Sequence, residues 1–135
     1  SIHSLLSSKY HEAQMYQLNI HAEIPDPVIH SYLTDLDLAV VLGHLMNNAI
    51  DGARKAHEGF ISIAYFDEEG CQSFIVESAI SDEKALLSMM SSQIPINGGD
   101  AGINAVQDIL ERYPNTSFSV RSQKHKMMQI LEMRP

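Results

Sequence analysis

Apolar residues recur at three- and four-residue spacing through residues 34–56, where Leu38, Val41, Leu42, Leu45, Ala49 and Ala53 stack on one face of a helix. Thr34 stands at the N-cap position. Asp35 and Asp37 fall in the first turn and Arg54 and Lys55 in the last, each where the helix dipole favours its charge. Such a stripe needs a partner, and a sheet is the expected one. A second helix is predicted over residues 1–18, with Ile2, Leu5, Leu6, Tyr10, Ala13 and Tyr16 or Gln17 on one side. A third is predicted over residues 103–113, with Ile103, Val106, Ile109 and Leu110 inward and Pro114 and Asn115 as the stop. A short helix is expected over residues 81–90 and a loop over 91–100.

Between these segments the period changes to two. Residues 19–23 read as a strand closed by Pro25 and Pro27, which cannot donate to a ladder. Residues 60–66 and 71–78 form a hairpin across Asp67, Glu68, Glu69 and Gly70, and residues 117–122 and 127–133 form another around Gln123, Lys124 and His125. Gly59 reads as a C′ glycine ending the long helix. The element order implies one domain, an α/β (α+β) two-layer sandwich: a mixed, mostly antiparallel sheet with helices on one face.

Composition narrows the function. At 135 residues and 44% hydrophobic content, the chain supports a real core and is not disordered. A net charge of −8 without a Lys/Arg cluster argues against nucleic acid or an anionic membrane surface as partner. An anionic nucleotide here would depend on a metal ion and backbone amides. One cysteine allows no internal disulfide and fits a reducing cytoplasm. There is no run of membrane-spanning length, so any membrane part of a longer parent protein lies outside this chain. The His3/His11 and His21/His30 pairs lack ligand spacing on a helix.

The polar face of the long helix is distinctive. His44 and Asn48 lie one turn apart, and Asn47, Asp51 and Lys55 continue that side. Adjacent asparagines are disfavoured inside a helix, because their amides compete for backbone bonds.

The run LGHLMNNAIDGA resembles the N-box, N-x-x-x-N-A, of the GHKL ATP-binding fold, most closely that of peptide-pheromone sensor histidine kinases of the AgrC type. In that family the second asparagine carries the magnesium of Mg-ATP, and Asn48 occupies its place. Asp51 matches an acidic residue of the subfamily, and His44 replaces the first asparagine. FIVESAI resembles the family's adenine-recognising run, with Ser78 where Asn is expected. DAGINAVQDILERYPN resembles the glycine-rich stretch that opens a helix toward phosphate. Gly102 matches its second glycine, and Asp100 replaces the first. Residues 79–99 correspond to the ATP lid, whose one cation is Lys84, with residues 84–99 expected to be the most mobile without nucleotide.

The resemblance implies a catalytic domain that holds ATP and Mg2+ and presents the γ-phosphate to a histidine on a separate dimerisation domain, with a response regulator as indirect partner. It implies no nucleophile in this chain, and His44 is the one polar candidate for chemistry. The changes at His44, Ser78 and Asp100 predict weakened nucleotide binding. Two other readings stay open: a non-catalytic GHKL module that regulates or scaffolds, and an ATP hydrolase using His44 as base, since gyrase-like members carry a Glu base there.

Overall fold

The computed structural model describes residues 2–24, 31–81 and 101–135, with the backbone alone for 101–104. The long amphipathic stripe forms α2 (Asp35–Lys55), following α1 (Ile2–Met15) and β1 (Asn19–Glu23). Next come β2 (Phe60–Glu68), β3 (Cys71–Ala79), α3 (Ala101–Arg112), β4 (Thr116–Gln123) and β5 (Lys126–Met133). The strands make one sheet in the order β1-β2-β3-β5-β4. Among the described residues only the β1–β2 pairing is parallel; the other three are antiparallel. The predicted mixed, mostly antiparallel sheet is therefore present.

Strand alternation decides which face the helices cover. Ile61, Ile63 and Tyr65 of β2 are buried, as are Gln72, Phe74, Val76 and Ser78 of β3 and Met127, Gln129, Leu131 and Met133 of β5. Most join one core with Leu38, Val41, Leu42, Leu45 and Ala49 of α2 and Val106 and Ile109 of α3. Burial of an aliphatic side chain at such sites is worth about 1.5–3 kcal/mol. α1 lies on α2: Leu5 packs near Gly43, and Lys9 Nζ donates to Asn47 Oδ1 at 2.6 Å.

Local chemistry sets the ends of these elements. Thr34 caps α2 by accepting from the Asp37 N–H at 3.2 Å, as its position in the sequence predicts. The β2–β3 turn is the pair Glu69–Gly70, both at positive φ, tighter than the predicted turn that began at Asp67. Gly59 is not a left-handed cap. α2 ends at Lys55 with Ala56 extended, and a Cβ on Gly59 would stand 2.5 Å from Leu18 Cδ2 and 2.9 Å from the Ala53 carbonyl. Close approach of the β1 entry explains this glycine.

α1 stops at Met15, three residues before the predicted end, because Gln17 turns left-handed at φ 61°. The Gln17 N–H donates to the Gln14 carbonyl and the Leu18 N–H to the Ala13 carbonyl, the paired bonds of a Schellman motif. Glycine is the unstrained residue at that position. Gln17→Gly is therefore expected to stabilise the fold by up to about 1 kcal/mol, read as a higher urea midpoint. An unchanged or lower midpoint would remove the Schellman assignment.

Asp37 does more than favour the dipole. It is buried, and Arg112 grips its two oxygens at 3.0 and 3.3 Å while the Tyr113 hydroxyl donates to Oδ2 at 2.7 Å. This joins the start of α2 to the end of α3. The Tyr113 hydroxyl bond above all, with help from Arg112 and Thr34, holds the carboxyl below its usual 3.8 against the opposing effect of burial. A lowered folded-state value means stability that is present above the unfolded value and lost as pH falls through the folded one. Asp37→Asn is expected to cost about 1–2 kcal/mol at pH 7, because Arg112 is well exposed and its attraction is screened. The variant's urea midpoint should also fall less than wild type's between pH 5 and pH 2; parallel slopes would contradict the network.

Candidate functional site

The polar face of α2 meets the sheet through one buried amide. Gln129 of β5 is fully buried, and its Nε2 donates to the Leu45 carbonyl at 2.9 Å. Asn48 Nδ2 donates to Gln129 Oε1 at 3.2 Å and lies 3.2 Å from His44 Nε2. The helical spacing predicted for His44 and Asn48 thus brings them into direct contact, both half-buried. Because an amide nitrogen only donates, His44 Nε2 accepts in this arrangement. Asp51 is exposed one turn-face away, and Asn47 is exposed and held by Lys9.

Ser78 lies on the same side of the sheet. It pairs with Ile61 and Met127, while the preceding inward residue, Val76, pairs with Gln129. Ser78 is wholly buried, and its Oγ has no protein hydrogen-bond partner among the described residues. Just beyond it α2 and β3 come very close: a Cβ on Gly52 would stand 3.1 Å from Ile80 Cγ2 and 3.2 Å from the Ala79 carbonyl. Ile80 donates its N–H to the His125 carbonyl, and His125 Nδ1 is 2.7 Å from the Ser81 carbonyl. Residues 79–81 are thereby tied to the β4–β5 turn, and the expected lid cannot begin at 79 as its predicted range had it.

Gly102 sits in the first turn of α3, where free backbone N–H groups gather. Asp100, Lys84, the predicted 81–90 helix and the expected mobile stretch 84–99 lie outside the described residues.

The donors suit some metals and not others. Among the described residues no group of three or more His, Cys, Asp or Glu converges as a metal cage. A single Asn carbonyl oxygen matches an ion that keeps several waters and shares phosphate oxygens, which is how magnesium is commonly held. The structure therefore brings His44 and Asn48 together at Gln129 and places Ser78 on the same side of the sheet, two residues along β3 from Val76, the partner of Gln129. The sequence reading missed Gln129, although the alternation of KMMQILEM places it inward, where a polar residue is the exception.

A family model described as the GHKL domain matches residues 33–134. No curated protein matches the sequence significantly. Among solved structures, the catalytic domain of the histidine kinase ThkA superposes with a TM-score of 0.75 at 14% identity, covering 98% of this chain and 91% of that one. The Acinetobacter baumannii histidine kinase AdeS gives 0.69 at 16% identity, covering 98% of this chain and 62% of that one. Full-length ShkA, solved in complex with AMPPNP, gives 0.72 at 14% identity, covering 98% and 30%. At these identities the likeness is one of fold.

Proposed function

The chain belongs to the GHKL domain family, and we propose that it is the ATP-binding catalytic domain of a two-component sensor histidine kinase of the AgrC type. The observation that carries this reading is the placement of Asn48 and Ser78 on one side of the sheet. One is a half-buried amide at the family's metal position, the other a buried hydroxyl with no protein partner among the described residues. An unpartnered buried hydroxyl costs about 1–3 kcal/mol, and a ligand's polar edge, reached directly or through a water, would relieve that cost.

In this reading Asn48 would hold magnesium through Oδ1, Ser78 would meet the adenine edge, and the α3 start at Gly102 would face the phosphates. Asp51 lies at the edge of the site, and Lys84 and Asp100 would border the phosphates from the lid and the glycine stretch. When bound, magnesium supplies charge neutralisation on the phosphate oxygens. The chain's own residues position and orient. The nucleophile is the imidazole of a histidine on a separate dimerisation domain. It takes the γ-phosphoryl as the bond from phosphorus to the bridging oxygen breaks and ADP leaves. A response regulator then receives the group. In this reading the catalytic domain works in the cytoplasm. No helix of the described residues is long and apolar enough to cross a membrane.

Binding should be weak. Ser78 offers a shorter group than the family's Asn, and Asp100 opposes phosphate. Calorimetric titration with Mg-ATP is expected to give a dissociation constant of about 0.1–1 mM or weaker. Ser78→Asn should tighten it about two- to tenfold, the worth of one hydrogen bond, and Asp100→Gly should add to this. Sub-micromolar binding by wild type would refute the weakening. No heat from wild type or from the double variant would instead favour a scaffolding GHKL module, the reading that the changes at His44, Ser78 and Asp100 support next best.

A further inference from the structure

We infer that Gln129 is a positioning residue that fixes which end of the Asn48 amide faces the metal. The inference rests on the nucleotide-binding reading above. The Leu45 carbonyl can only accept, and it has a second lone pair beyond its bond within α2. Gln129 must therefore turn its NH2 toward Leu45, at 2.9 Å. That leaves its Oε1 toward Asn48, and Oε1 also only accepts, so Asn48 presents its NH2 at 3.2 Å. The second N–H of the same amide points to His44 Nε2 at 3.2 Å.

Both donors of Asn48 are thus committed to the protein, and its Oδ1 is left as the outward acceptor, with no partner among the described residues. An asparagine without this constraint could rotate its amide and offer N–H groups to a cation, which they repel. Gln129 has no freedom to reverse, because it is fully buried between β5 and α2. A buried polar group in a face otherwise made of Met127, Leu131 and Met133 carries a desolvation cost that apolar packing would avoid. Orientation of the metal-holding amide accounts for its presence. Partners that orient a metal ligand in this way typically contribute ten- to a hundredfold in metal affinity, to order of magnitude.

The test is calorimetric titration of the full 135-residue chain and of Gln129→Leu with ATP, in magnesium and in excess EDTA. Gln129→Met is the companion variant, with similar volume and length, should the leucine variant fold poorly. Loss of the Gln129 amide leaves the Leu45 carbonyl its helical bond, so both variants should keep a cooperative thermal transition. The expected result is that the affinity gained from magnesium shrinks by about tenfold or more, while affinity in EDTA is unchanged. A purely structural role would lower both affinities together, and that outcome overturns the inference. Equal magnesium dependence in wild type and variant also overturns it and leaves the kinase reading standing. Wild type that gains nothing from magnesium removes the kinase reading and this inference with it. A second measurement needs no nucleotide. The Asn48 side-chain amide protons should exchange slowly with solvent in wild type and rapidly in Gln129→Leu; equal rates would remove the proposed orientation.

Discussion

Phe74→Ala is expected to lower the stability of the fold by about 3–5 kcal/mol, a large share of what a domain of this size possesses. Phe74 sits at the centre of the sheet. It pairs with Tyr65 of β2 on one side and with Leu131 of β5 on the other, and all three are fully buried. Its ring meets that of Tyr65 at a centroid distance of 4.7 Å and a tilt of 45°. The ring pair adds about 0.5–1.5 kcal/mol beyond the area it buries. No neighbouring element can collapse into the space, because the strand is flanked on both edges by hydrogen-bonded partners and covered by α2. The thermal midpoint should therefore fall by roughly 10–20 °C. Phe74→Leu should cost much less, since it retains most of the volume. A loss below about 1 kcal/mol for the alanine variant would mean that β3 is not the central strand of the core.

The same core shows how far patterning reaches. The α2 helix is legible to within a residue at each end, because Thr34 caps it and the apolar stripe is long. The two hairpins are legible because inward and outward residues alternate along β5 and along all but the last residues of β2 and β3. Even the burial of Ser78 follows from alternation with Phe74 and Val76. Three features escape local reading for one physical reason: each is decided by a residue distant in the chain. Gly59 is small because Leu18 approaches it. Asp37 is buried because Arg112 and Tyr113 arrive 75 and 76 residues later. Gln129 is polar because Leu45 and Asn48, 84 and 81 residues earlier, present groups that it alone joins. Spacing along a helix predicted that His44 and Asn48 would meet. It contained nothing about the strand residue that completes the set.

Asn48→Ala is expected to abolish the magnesium-dependent part of ATP binding. The truncation removes Asn48 Oδ1, the oxygen that the committed amide leaves for a cation. An interaction of that kind with a charged group is worth about 1.5–3 kcal/mol, or roughly ten- to a hundredfold in affinity. Such a loss should bring the affinity for Mg-ATP down to the value that the wild-type chain shows for ATP in EDTA. The fold should survive. The variant gives up two neutral hydrogen bonds, to Gln129 and His44, each worth about 0.5–1.5 kcal/mol, and alanine's higher helix propensity offsets part of that cost. Asn47→Ala is the internal comparison, because the adjacent asparagine is exposed and its Oδ1 accepts from Lys9 on α1. It should leave nucleotide binding within about twofold of wild type and lower stability only slightly, as loss of an exposed contact does. If Asn47→Ala instead abolished binding and Asn48→Ala did not, the metal-holding residue would lie on the α1 side of the helix. The strand residue Gln129 would then have no part in the site.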